Sequence, residues 1–538
     1  MSMNLRAADY VARRLYEAGC RHAFGMPGGE VLTIVDALVK AGIKFILCKH
    51  ENNAGFIAEG VHHRNGAPAI LVATVGPGAV NGVNVVANAH QDHVPMIVLT
   101  GCVDEDEAQT YTHQVLDHQA VFQDITKATY RLTADSADII ADKAVNVATE
   151  GRAGPVHIDV PIGVADKVTQ VKRRRRPVAM PVVPSSGPDL DMARRWLSTS
   201  ERPVMIAGLD AVAEGAGAEI LAFCTKFNVP LITTYKGKGL IPEDHPLALG
   251  GAGLSPKADG ISLPFIEQAD LIICAGYDPI EMRTGWREIW DPALVNVIDI
   301  ASVPNTHYMH QATLNMVANT RETLAVLGSD VRGRPTWTGQ AISTVKTQLA
   351  LAFPTDEEWG PAAVIDECRK SLPRDALATA DSGAHRILLS QMWDCYEPRG
   401  LIQSSALCTM GCAVPMAIGE KIVEPDRQVI SFSGDAGMLM VAGELSTAAE
   451  LGGNTIFVVF VDASLSLIDL KQRQRQMHTN GVEFGLHDFA TIGRAFGGNG
   501  FDVATRAELR QALNAAQSSD RFSVIAARIE QHAYDGRL

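Results

Sequence analysis

Residues Ser433-Gly434-Asp435-Ala436-Gly437 carry the clearest chemical content in the chain. They follow an apolar run at 429–433 that reads as a buried strand, and they precede a stretch at 439–451 that reads as a helix. The backbone N–H groups of such a turn, backed by a helix N-terminus, can hold a phosphate. The next apolar run, 455–461, ends at Asp462. Neighbouring parallel strands would then present Asp435 and Asp462 at one carboxyl edge, where ligands bind in such sheets. Two carboxylates beside a phosphate are a ligand set suited to Mg²⁺. Taken singly, either acid could equally cap a helix.

Three further segments have similar but weaker content. Glu51, in Cys48-Lys49-His50-Glu51-Asn52-Asn53-Ala54, stands at a strand-to-helix junction, where the helix dipole alone would favour an acid. Thr74-Val75-Gly76-Pro77-Gly78-Ala79 and Phe24-Gly25-Met26-Pro27-Gly28-Gly29 are tight turns whose glycines permit close backbone approach. None is specific by itself.

The elements that would position these turns alternate between apolar runs and Ala-rich amphipathic stretches, the pattern of parallel sheets covered by helices. Strands are expected at 45–49, 69–73 and 96–100, then at 204–207, 230–233, 271–275 and 295–300, and finally at 376–380, 429–433 and 455–461. Helices are expected at 7–18 and 52–63. The fold class that follows is α/β, with three doubly wound parallel-sheet domains at 1–167, 189–335 and 355–538 and a linker at 168–188. Three domains also suit 538 residues at roughly 100–200 per domain.

The linker contains Lys172-Arg173-Arg174-Arg175-Arg176 and then a proline-rich stretch. In a chain of net charge −14 this run reads as solvated linker charge rather than a nucleic-acid patch. With 46% hydrophobic and 20% charged residues the chain is globular, and no apolar run approaches the ~20 residues of a membrane span. Residues 1–10 lack the pattern of a signal peptide. Nine cysteines without CxxC spacing point to free thiols in a reducing compartment, so a cytoplasmic location is expected.

Taken in order, Phe24 to Gly29, His50-Glu51-Asn52, Gly76-Pro77-Gly78, the segment 154–161 and Gly434-Asp435 resemble the thiamine-diphosphate-dependent enzymes of the acetolactate synthase and pyruvate oxidase type. The resemblance covers nearly the whole chain. It extends through Thr233-Thr234-Tyr235-Lys236-Gly237-Lys238-Gly239 and Thr409-Met410-Gly411. Thr112-His113-Gln114 with Asp117, and Gly276-Tyr277-Asp278-Pro279-Ile280-Glu281, look more narrowly like the catabolic, flavin-independent acetolactate synthases. Val461 departs from the Asn of most relatives, and Lys471 or Gln472 from the residue that sets the acceptor in biosynthetic ones.

The resemblance implies a catalytic group of Glu51, Gln114 and Gly28, with Glu51 acting on the aminopyrimidine and Gln114 near the reacting carbonyl. It implies cofactor contacts at Gly76, Pro77, Gly383, Ala384, His385, Gly434, Asp435, Ala436, Gly437 and Leu465. The Cys408 carbonyl would accept from the 4′-amino group, and Met410 would be the apolar wedge behind the bent cofactor. Asp435, Asp462 and the Ser464 carbonyl would ligate Mg²⁺.

The implied reaction is the condensation of two pyruvates, as small 2-keto acid substrates, to 2-acetolactate and CO₂. The alternatives are another decarboxylase, carboligase or C–C lyase of this superfamily, with an aldehyde, acyl-CoA or larger keto acid, and a non-catalytic relative that only binds the cofactor. FAD is expected to be absent, although Arg283 and Arg287 lie close to the segment that would meet it. A homodimer or homotetramer with active sites between subunits is expected, with no nucleic-acid or membrane partner. The pairs His62-His63 and His90 with His93 do not suit magnesium, which prefers oxygen ligands.

Overall fold

A computed structural model describes residues 5–170, 175–337 and 339–538. Lys172, Arg173 and Arg174 of the basic run lie outside the described residues. The remaining two cations are engaged: Arg175 pairs with Glu17, and Arg176 with Glu150 and, through its backbone N–H, Asp142. Val168–Thr169, inside the expected linker, pairs antiparallel with Leu5–Arg6 and so ties the ends of the first unit together.

Three six-stranded parallel sheets follow one another along the chain. In the first, the strands lie in the order Lys44–Leu47, His22–Met26, Ala69–Ala73, Met96–Cys102, Val156–Pro161, Ala128–Arg131. The third repeats this order with Leu401–Gln403, Leu377–Ala380, Val429–Gly434, Ile456–Val461, Ser523–Arg528 and Asn499–Val503. The central sheet is wound differently, as Ala248–Gly251, Leu231–Thr233, Pro203–Ala207, Leu271–Ala275, Asn296–Ala301 and Leu314–Val317. Strands such as Ala69–Ala73, Met96–Cys102 and Ile456–Val461 are buried along their whole length, which is why they read as continuous apolar runs without alternation. Among the described residues no helix is long and apolar enough to cross a membrane.

The first and third units meet through two helices, Glu51–Asn65 and Ala413–Val423. A Cβ on Gly60 would overlap the Met416 carbonyl, and one on Gly419 would overlap the Ile57 carbonyl, so each helix uses a glycine to admit the other's backbone. Glu444 extends the junction, accepting from Lys49 N at 3.2 Å and from Asn53 Nδ2 at 3.1 Å. That contact explains a correction to the expected helix at 439–451. It is two helices, Asp435–Val441 and Leu445–Leu451, separated by a tight turn at Ala442–Glu444 that aims Glu444 inward.

Glu420, on the second helix of the pair, is fully buried with neither carboxyl oxygen hydrogen-bonded among the described residues. Arg64 Nε is 3.7 Å away, yet burial dominates and pushes the carboxyl up to about 8. The folded-state value lies above the unfolded one, so this group's stabilising contribution is complete at low pH and is lost as pH rises through about 8. Between pH ~6 and ~9 the protein should therefore lose more stability than Glu420→Gln, measured by denaturant unfolding at each pH. Parallel stability profiles for the two proteins would contradict this.

Candidate active site

In open parallel sheets, ligands bind outside the carboxyl ends of the strands where the strand order reverses. In the third sheet that reversal falls between Leu377–Ala380 and Val429–Gly434, followed by Asp381 to His385 and by Asp435 to Gly437. The two loops touch. A Cβ on Gly437 would overlap the Asp381 carboxylate, which itself accepts from Ser382 N and Cys412 N at 3.0 and 3.1 Å.

A cavity of about 180 Å³ opens at this point. Every C-terminal residue named above as a cofactor or metal contact lines it: Gly383, Ala384, His385, Cys408 and Met410 on one side, Gly434, Asp435, Ala436 and Gly437 at the turn, and Asp462, Ser464 and Leu465 opposite. Neighbouring register between Val429–Gly434 and Ile456–Val461 brings the two acids to one edge. Asp435 accepts from Ala436 N at 2.8 Å and from Ala463 N at 2.7 Å; Asp462 accepts from Ser464 N and from the Ser466 hydroxyl. Burial raises both carboxyls, and the neighbouring Asp435 charge adds to the rise that takes Asp462 to about 6. Like charges on one cavity edge are eased by a cation, and an all-oxygen donor set fits a hard divalent ion.

The rest of the cavity fits a diphosphate-bearing heterocycle. Backbone N–H groups stand at the turn, while Met410, Leu465, Leu467, Ile468 and Phe460 form an apolar wall. Burial pushes the His385 imidazole down to about 3, and its Nε2 has no partner among the described residues. Cys408 and Ala463 adopt left-handed backbone at φ 56° and 55°, strain that clusters at functional sites. Sequence reasoning missed Asp381, Phe460, Ser466 and Tyr534. Asp381 was detectable as an acid directly after an apolar strand; Tyr534 reaches the cavity from the chain's last residues with no local motif to signal it.

The first sheet repeats the device. Its reversal lies between His22–Met26 and Ala69–Ala73, which places the turns holding Gly28 and Gly76 side by side. A Cβ on Gly28 would overlap Thr74, whose hydroxyl donates to Glu30 at 2.6 Å. Gly76, at φ 66°, holds a left-handed turn ahead of Pro77. Glu51 begins its helix, is buried, and accepts from Asn81 Nδ2 at 3.0 Å, with Gly78 packed against its other oxygen. Gln114, left-handed at φ 60°, lines a second cavity of about 380 Å³ with Glu30, Tyr111 and His113. The sequence did not single out Glu30. The residues around the diphosphate-side cavity all lie at or beyond Ser382, and those around the Gln114 cavity all at or before Ile162.

Several other polar side chains have structural partners. Lys127 donates to the Glu150 and Arg152 carbonyls. His62 bonds the Ala67 carbonyl and His63 bonds Glu59, so neither joins a metal-ligating cluster. Lys471 and Gln472 do not line the cavity; Gln472 brackets the Asn480 backbone.

In the central sheet the reversal crevice is occupied by charge. Arg152, from the first unit, pairs with Asp210 at 2.8 Å and Asp278 at 3.0 Å. Glu281 turns inward to accept from Lys236 N, and Arg283 is held by Asp259 at 2.7 Å.

Comparison with known proteins finds three family-model matches along the chain. Residues 5–121 match the family model described as thiamine pyrophosphate enzyme, N-terminal TPP binding domain; 190–327 match the central domain and 381–527 the C-terminal TPP binding domain. An acetolactate synthase of Bacillus subtilis (strain 168) is 30% identical over 526 residues, covering 95% of this chain and 91% of that protein. A catabolic acetolactate synthase of Raoultella terrigena is 27% identical, covering 96% and 94% respectively. The large subunit of acetolactate synthase isozyme 1 of Escherichia coli (strain K12) is 28% identical, covering 94% and 91%.

The shared edge of Asp435 and Asp462 leads to a direct test. Asp435→Asn and Asp462→Ala should each weaken thiamine diphosphate and Mg²⁺ together, by more than about tenfold, in calorimetric titrations. Unchanged cofactor affinity in both variants would place the ion elsewhere.

Proposed function

The chain belongs to the thiamine-diphosphate-dependent enzymes of the acetolactate synthase type, and we propose on that premise that it condenses two pyruvates to 2-acetolactate with release of CO₂. The observation that carries this reading is the convergence of twelve sequence-predicted residues on one cavity at a strand-order reversal, with Glu51 buried at the matching edge of the first sheet. Bound thiamine diphosphate supplies a carbon nucleophile and an electron sink for decarboxylating a 2-keto acid and passing the two-carbon fragment to a second one.

The protein's contribution is placement and proton handling. Asp435, Asp462 and the Ser464 carbonyl would hold Mg²⁺, and the turn from Gly434 to Gly437 would offer N–H groups to the diphosphate. Glu51 would exchange a proton with the aminopyrimidine ring nitrogen from the fixed orientation that Asn81 imposes. Gln114 orients the second keto acid, and the apolar wall from Leu465 to Ile468 excludes water from the reacting carbon.

Two further statements belong to this reading. The enzyme works as a homodimer or homotetramer in the cytoplasm, the half-site around Gln114 and Glu51 in one copy meeting the half-site around Asp435 in another. Supporting this are the separate cavities within one chain and the exposed Met26, Leu32, Leu439, Met440 and Ile468. The enzyme also needs no FAD: a pyrophosphate entering the central crevice would meet the Asp210 and Asp278 carboxylates, and Arg283 is already taken.

Incubation with pyruvate, thiamine diphosphate and Mg²⁺ should give 2-acetolactate; acetaldehyde or no product would overturn the assignment. Glu51→Gln should keep cofactor affinity and lose turnover by at least ~100-fold. The visible spectrum of the purified enzyme should show no stoichiometric flavin band near ~450 nm releasable by denaturation.

A further inference from the structure

His118 opens the short helix His118–Phe122, four residues after Gln114, and is buried. Its ring makes two directed contacts. Gly76 N donates to Nε2 at 3.1 Å, and Nδ1 lies 3.0 Å from Asp159 Oδ1. A ring that accepts at Nε2 and donates at Nδ1 is the neutral Nδ1–H tautomer.

The carboxylate it meets is itself fixed. Asp159 Oδ1 also accepts from the Thr100 hydroxyl at 2.8 Å, and that hydroxyl faces His157 Nε2 at 2.7 Å. Burial pushes the His157 imidazole down to about 4, and its Nδ1 has no partner among the described residues, so the neutral ring donates from Nε2 to Thr100. Arg131 stands 3.8 Å from the other Asp159 oxygen. Every proton in the run from His157 through Thr100, Asp159 and His118 to Gly76 thus has one direction.

We propose that His118 is a positioning residue for the reaction, the strut that holds the Gly76 turn and the Gln114 loop in one arrangement. This rests on the reading of Glu51 and Gln114 given above. The Gly76 N–H is the last backbone donor before Pro77, which has none, and it is held in a left-handed turn. Without Nε2 it would be a buried donor with no acceptor, a state the backbone avoids by moving. Two walls would move with it. Gly78, two residues on, packs against Glu51, and the Gln114 carbonyl sits so close to Gly76 that a Cβ there would overlap it. His118 therefore joins the segment carrying Gln114 to the turn that backs Glu51 through a directed hydrogen bond.

Two substitutions separate this role from simple packing. The amide of Gln at 118 reaches the position of Nε2 and can accept from Gly76, whereas Asn reaches only the position of Nδ1 and leaves that N–H unpaired. Holoenzyme kcat with the 2-keto acid that the native protein turns over should fall by about 10- to 100-fold in His118→Asn and stay close to native in His118→Gln. Mg²⁺ affinity should be unchanged in both, since the residues assigned to the ion, Asp435, Asp462 and Ser464, lie in the third unit. Amide hydrogen exchange across residues 74–78, read by mass spectrometry, should accelerate in His118→Asn and not in His118→Gln. Equal kcat values, or equal exchange, in the two variants would overturn the proposal. If the native protein turned over no 2-keto acid, the functional reading would fail, and the exchange measurement would still decide whether His118 holds the turn.

Discussion

Side chains keep polypeptide backbones apart, so a chain that must bring two loops or two helices into backbone contact has to place glycine at the contact. That steric limit governs the geometry here. Gly28 lets the first reversal loop of the N-terminal sheet lie on Thr74, and Gly437 does the same against Asp381 in the third sheet. Gly60 and Gly419 then let the helices behind those loops touch backbone to backbone. The helix contact, with the Glu444 junction beside it, fixes the relation of the two edges. Because Glu51 begins one helix of that pair, its position relative to the third unit is set by glycine packing and not by the flexible reach of side chains.

Charge is handled differently in the three units. The third unit fixes two acids with backbone N–H groups on the lining of one cavity, an arrangement that a divalent cation would complete. The central unit spends its crevice acids internally, on Arg152 of the first unit. Lys236 is likewise buried against Asp92 at 2.6 Å, although desolvation opposes both charges. Buried pairs of this kind add little net stability, yet removing one partner strands the other. Their effect is to lock the central unit against the first, while the two units carrying the chemistry meet directly through their own helices.

Much of this was legible in residue types, for reasons that differ by element. The strands at 69–73 and 271–275 appear with the expected bounds because strands covered on both faces are uninterrupted apolar runs. The C-terminal cavity was legible because glycine turns and strand-end acids are local signals, and one parallel neighbour relation joins them. The short edge strands Ala248–Gly251 and Leu401–Gln403 were not, since three or four residues carry no period. The break at Ala442–Glu444 was invisible because its cause, the capping of Lys49 and Asn53, lies almost 400 positions away in sequence. His118 and Tyr534 were missed for the same reason: each acts through a partner that only the folded chain supplies.

The first and third sheets share one strand order but present opposite electrostatics at the shared position. One offers a single acid clamped by an amide and backed by a glycine; the other offers two acids and a row of N–H groups. A ligand with an anionic end and an uncharged aromatic end needs this asymmetry. Carboxylate pairs at both edges would hold too much negative charge for one cation to offset, and apolar turns at both would leave a diphosphate without donors. A single topology therefore suffices for both ends, because the reversal point fixes only where a ligand sits. The three or four residues after each strand decide what it is.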